Sequence, residues 1–131
     1  MTEINKTFKI YGDNEGVLYL DFLENVQDVA SNVSQAEGIN QKLNQIFSDH
    51  PEKKFKLLVD LSLVSQSAHY PSPRARAIFA EMAGKEQLER IAVVAPNTLS
   101  RAIMGFVIRA ANAKKPIKFF STRADASAWL K

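Results

Sequence analysis

The sequence predicts an α/β fold: a single-layer mixed sheet, opened by an antiparallel hairpin and continued by parallel strands joined through crossover helices. Short apolar runs at Val17–Phe22, Phe55–Leu61, Arg90–Ala95 and Pro116–Ser121 are too brief for helices and too apolar for surface loops. Between them lie stretches whose apolar residues recur at helical spacing, as in a helix that lays one face on a sheet. Strands separated by such helices pair in parallel through right-handed crossovers, so their carboxyl ends line up along one rim.

Each element has its own local signal. Thr7–Tyr11 and Val17–Phe22 form the hairpin, with the turn residues Gly12-Asp13-Asn14-Glu15-Gly16 between them. From Leu23 to Val33 the signals conflict, because Val26, Val29 and Val33 keep helical spacing while Asn25, Asp28, Ser31 and Asn32 favour turns; residues 23–33 are read as irregular. Ser34-Gln35-Ala36-Glu37 has the form of a capping box, so a helix is expected from there to about Ser48, with Ile39, Leu43, Ile46 and Phe47 facing the sheet and Pro51 closing the segment. Phe55–Leu61 is an inner strand ending in Asp60-Leu61-Ser62, and a hydroxyl-rich loop follows it to Ser72. Ser72 and Pro73 supply an N-cap and an N1 proline, after which Ala75, Ile78, Phe79 and Met82 make a buried stripe up to Gly84. Arg90–Ala95 is the second inner strand, and Asn97 caps a helix from Thr98 to about Asn112. Pro116–Ser121 is the third. Thr122, with Asp125 three residues on, starts a short final helix that Trp129 and Leu130 anchor.

At 131 residues, 46% apolar and 24% charged, the chain reads as one ordered domain over residues 1–131. The absence of cysteine excludes disulfides, thiolate metal sites and thiol nucleophiles, and a cytoplasmic setting is the expectation. Met1–Lys6 lacks the pattern of a secretion signal, and no apolar run approaches the roughly 20 residues of a membrane span. The net charge of +3 is spread among acids, except at Lys53-Lys54-Phe55-Lys56 and Lys114-Lys115-Pro116-Ile117-Lys118. Both clusters stand at strand starts, where lysines guard edges, so no nucleic-acid partner is expected.

The order of elements, with Leu58-Val59-Asp60-Leu61-Ser62, Arg90-Ile91-Ala92-Val93-Val94 and Ile117-Lys118-Phe119-Phe120-Ser121 through Ala128-Trp129-Leu130, resembles the SpoIIAA-like and STAS family. That is the fold of anti-sigma-factor antagonists, related in shape to CRAL-TRIO lipid-binding domains. The resemblance runs from about Val17 onward. It implies a non-enzymatic regulatory module that acts by binding a protein, such as a kinase or an anti-sigma-like partner. In members that work as phosphorylation switches, the loop after Asp-Leu-Ser carries Asp-Ser-Ser-Gly, whose second serine accepts phosphate. Here the stretch is Ser65-Gln66-Ser67-Ala68, which puts Ser67 at the acceptor position, with Ser65 in place of the aspartate and Ala68 in place of the glycine. The lipid-binding cousins imply the alternative of a small apolar or anionic ligand between the sheet and the helices carrying Phe79, Met82, Met104 and Phe106.

The candidate rim site comprises Asp60, Ser62, Ser65, Ser67, His69, Arg74 and Asn97, at the end of the sheet where open α/β folds bind ligands. No Gly-x-Ser-x-Gly elbow is present, His50 and His69 are not at ligand spacing with carboxylates, and the five glycines form no phosphate-cradling phrase. Hence no catalytic residue, metal or cofactor is expected. In the helix after Asn97, Leu99, Ala102, Ile103, Phe106, Val107 and Ala110 make one apolar face, while Met104 and Ile108 lie on another. Two readings stand for that second face: cover by neighbouring helices, or a homodimer contact.

Overall fold

The structure, a computed structural model, describes residues 2–4, 7–24, 29–64, 72–98, 101–102, 105, 108–109 and 114–131. Six strands form one sheet in chain order: β1 (Thr2–Ile4), β2 (Phe8–Gly12), β3 (Val17–Phe22), β4 (Phe55–Asp60), β5 (Leu88–Val94) and β6 (Ile117–Phe120). The first three alternate in direction, and β3 to β6 are parallel. The predicted α/β class, the hairpin and the three parallel strands are all present, but only Phe55–Asp60 and Leu88–Val94 are inner strands. Ile117–Phe120, expected as a third inner strand, closes the sheet as its edge, paired on one side with β5 and with no residue fully buried. The short strand β1, which pairs Thr2 with Tyr11, is an addition that no sequence signal announced. Helices α1 (Val29–Asp49), α2 (Pro73–Ala83) and α3 (Arg123–Leu130) complete the framework. In the helix expected from Thr98, residues Thr98, Arg101, Ala102, Gly105, Ile108 and Arg109 are helical; Met104 and Phe106 lie outside the described residues.

The hairpin turns where its residues dictate. Asp13 accepts the backbone N–H groups of Glu15 and Val17 on one carboxylate oxygen, at 2.8 and 3.0 Å. Gly16 takes a φ of +83°, which a side chain would resist.

One expectation is corrected. α1 begins at Val29, well before Ser34, so Ser34-Gln35-Ala36-Glu37 lies inside the helix and caps nothing, and residues 29–33 are helical instead of irregular. Tertiary contacts override the turn preference of Ser31 and Asn32. Val33 and Ala36 pack against Ala75, Ile78 and Phe79 of α2. Asn32 accepts the Ser72 N–H at 3.1 Å, which puts one of those turn formers to use at the start of α2. There Ser72 caps the Ala75 N–H, as its sequence predicts.

Because successive parallel strands are sheet neighbours, right-handed crossovers bring α1 and α2 to the same face. On that face Phe8, Ile10, Leu18, Leu20, Leu57, Val59, Ile91 and Val93 meet Ile39, Leu43 and Phe47 of α1 and Met82 of α2. The alternate residues Val17, Leu58, Ala92 and Val94 point to the other face, where α3 covers them with Ala126 and Leu130.

Candidate functional site at the carboxyl rim

The sheet register sets Asp21, Asp60, Val94 and Phe120 side by side, so β3 to β6 finish along a common rim. Just beyond β4 the chain makes a tight turn. The Leu61 N–H donates to the Val94 carbonyl at 3.0 Å, the Val64 N–H donates to the Leu61 carbonyl at 3.1 Å, and both side chains are buried. Ser62 and Leu63 are thereby held out at the surface, with Leu63 73% exposed.

Asp60 anchors this turn. One carboxylate oxygen accepts the Ser62 N–H at 2.8 Å, and the other accepts from Arg123 Nη1, also at 2.8 Å. The same Nη1 lies 2.8 Å from Asp21 on β3, and Arg123 donates in addition to the Tyr11 hydroxyl. The guanidinium sits 5.1 Å from the centre of the Tyr19 ring, which stacks on Tyr11 at 5.0 Å. Two in-register carboxylates on neighbouring strands would repel, and the arginine at the first position of α3 neutralises them. Burial alone would push the Asp60 carboxyl up, but hydrogen bonds from the Ser62 hydroxyl and amide, together with Arg123, hold it below the usual carboxylate range. Burial and the Asp21 charge raise the Tyr11 hydroxyl. The arrangement neutralises and orients charge.

Among the predicted site residues, Asp60 and Ser62 come together. Asn97 stands further along the same rim, its carbonyl accepting the Arg101 N–H at 3.2 Å, and Arg101 reaches across to the Ala95 carbonyl and the Ser121 hydroxyl. Ser65, Ser67 and His69 lie outside the described residues. Arg74 is not brought to Asp60: it is exposed on the first turn of α2, in a groove shared with Asn40, Asn44 and Glu81, on the opposite side of the sheet from the Asp60 carboxylate. Asp21 and Arg123 escaped the sequence reading. A signal existed, since an acid at the end of an apolar strand in line with Asp60 calls for a cation nearby.

An apolar cavity of about 70 Å³ lies between the sheet and α2, lined by Leu20, Leu57, Phe79, Met82, Ile91 and Ile108 among others. Ile108 is half-buried and packs on the core, so the structure uses at least part of its side chain within the chain. Among the described residues no three His, Cys, Asp or Glu side chains gather as a metal site would require, and no helix is long and apolar enough to cross a membrane.

A sheet in chain order, helices on one face and a closing helix on the other define a SpoIIAA-like α/β protein. A crystal structure from Shewanella loihica PV-4, of an uncharacterised DUF3478-family protein with a SpoIIAA-like fold, matches with a TM-score of 0.58. The match covers 95% of this chain and 92% of that one, at 16% sequence identity. The chain itself belongs to the family described as domain of unknown function DUF7793, whose model matches residues 11–131. No curated protein matches it.

Proposed function

We propose that this chain is a non-enzymatic regulatory module that binds a protein partner through its carboxyl rim, over the turn that holds Ser62 and Leu63 and across to Asn97. The observation that carries this reading is Leu63. A large apolar side chain, 73% exposed beside a serine on a turn held by two buried neighbours, is a preorganised contact of the kind a protein surface covers. The SpoIIAA-like fold supports the same reading. The resemblance at Ser67, in the loop that follows, adds a phosphorylation switch to the proposal, since phosphate there would bring about 1.5 to 2 negative charges. A cytoplasmic setting belongs to the same proposal.

Affinity capture from cells that make the protein tests it. Wild type and a control at the far end of the sheet, Lys53→Glu, are expected to retain the same protein, Leu63→Glu and Ser67→Glu to lose it, and Ser67→Ala to keep it. Retention indifferent to every rim substitution refutes the rim. Self-association through the helix after Asn97 is tested by sizing at several concentrations. Since Ile108 is partly turned inward, Met104→Lys is the cleaner probe, and an unchanged dimer removes that face.

The apolar cavity supports a second reading, in which the domain holds a small apolar molecule between sheet and helices. It is lined by apolar side chains throughout, so water gains little there. Native mass spectrometry of the freshly purified protein is then expected to show a retained molecule, and a consistently empty protein rejects this reading.

A further inference from the structure

The Asp60 carboxylate serves two elements at once. Oδ1 accepts the Ser62 N–H and starts the rim turn, while Oδ2 is held by Arg123 at the head of α3. A carboxylate is planar and rigid, so a swing of one oxygen carries the other with it. Its side chain is only 12% exposed, which leaves little room for water to replace either partner. We propose that Arg123 is a positioning residue for the rim: through Asp60 it sets the shape of the Leu61–Val64 turn, and so couples α3 to partner binding. The coupling to binding rests on the function proposed above; the positioning itself does not.

Arg123 is fixed well enough to act in this way. Asp21, Asp60 and the Tyr11 hydroxyl each take a hydrogen bond from its fork, and Tyr19 lies beneath its plane. A lysine ammonium, a point charge on a flexible stem, cannot reproduce that planar spread. Remove the cation, and Asp60 is left facing Asp21 from the next strand, with the Tyr11 hydroxyl on Asp21 and the Ser62 hydroxyl on Asp60. Like charges at that spacing force one carboxylate to rotate outward or to take up a proton. Either change weakens the acceptor that the Ser62 amide requires. By reciprocity, a partner that clamps the turn stabilises the docking of α3.

The test follows the Ser62 amide resonance of the isotope-labelled full chain across pH. In wild type its midpoint reports Asp60 and falls below the ordinary carboxylate range. Arg123→Gln is expected to raise that midpoint by about one pH unit or more, a tenfold or greater rise in proton affinity. The Leu57 and Val59 amides of β4 should stay in place, which shows that the sheet remains folded. Thr122→Ala removes the cap of α3 but keeps the guanidinium, and should leave the midpoint where it is. If Arg123→Gln does not fold, Arg123→Lys decides, and must move the midpoint in the same direction. An unchanged Ser62 midpoint overturns the proposal, as does a shift in Thr122→Ala equal to that in Arg123→Gln. Should Ser62 respond to Arg123 while no rim substitution loses a partner, the positioning role stands and the partner-binding rim falls.

Discussion

Replacing Leu130 by alanine asks whether α3 is part of the core or an ornament on it. Leu130 is fully buried and, with Ala126, forms the α3 side of the cluster with Val17, Leu58, Ala92 and Val94. The truncation removes three carbons, which at about 0.8 kcal/mol per buried methylene loses roughly 2 kcal/mol of transfer free energy. The cavity left behind adds to this, for a total of about 3 kcal/mol. Against a domain stability of about 5–15 kcal/mol, that is a large fraction, and Tm should fall by about 10 °C. Urea unfolding read by two signals provides the assay. Trp129, the single tryptophan, lies 5.7 Å from Phe120 and 5.1 Å from the Arg90 guanidinium, so its fluorescence reports the docking of α3. Far-UV circular dichroism reports the whole fold. Both signals should lose stability together at an unchanged slope. A loss under about 1 kcal/mol in both would refute the packing argument. A loss in fluorescence alone would refute the claim that the α3 face is one cooperative unit with the sheet.

Because the Asp60 carboxyl is depressed in the folded chain, its stabilising contribution is complete above the unfolded value of about 3.9 and disappears as pH falls through the lower folded value. Wild type should therefore lose urea stability between about pH 5 and pH 2 more steeply than Asp60→Asn, which starts lower at neutral pH; parallel curves would contradict this. Gly16→Ala forces a side chain into φ +83°, yet the new Cβ would meet the Lys54 carbonyl at 3.6 Å and the Lys53 Cε at 4.0 Å, both ordinary contacts. The cost is then conformational, about 1 kcal/mol by thermal unfolding, and a loss above about 3 kcal/mol would show that the space argument fails. Ala83→Leu puts an isopropyl group toward the apolar cavity and should change stability by no more than about 1 kcal/mol in calorimetry, whereas a loss above about 2 kcal/mol would mean that the void is not there to be filled.

The parts of this fold that were legible in the sequence are those with local causes. The β2–β3 hairpin rests on its own turn residues, and α2 starts at Ser72-Pro73 because the serine caps the next turn and proline needs no donor there. The inner strands β4 and β5 show as apolar runs because both their faces are covered, whereas β6, at the sheet edge, keeps Lys118 and Phe119 exposed and was read as inner from its apolar residues alone. The start of α1 was hidden for the opposite reason. Ser31 and Asn32 favour turns when read alone, and only contacts with α2 make them helical, while the Ser34–Glu37 phrase imitates a cap in a place where the helix is already under way. Within the site, Asp60 was legible as a strand-end acid. Its partner was not, because Arg123 lies 63 residues further along the chain and 102 beyond Asp21. Arg74 looked adjacent to the rim, but α2 stands on the face of the sheet that the Asp60 side chain leaves. Strand alternation from Phe55 to Asp60 carries that distinction, since residues of even number there turn toward α3.

The strands stand in the sheet in the order in which a ribosome makes them. Each one can join the edge left by its predecessor as it emerges, and none has to be threaded between two already in place, so assembly from the amino end meets no topological delay. The helix Arg123–Leu130 comes after every strand. Until it arrives, Leu58, Ala92 and Val94 of the nascent sheet stay wetted by solvent, and this greasy strip is where a chaperone would first take hold.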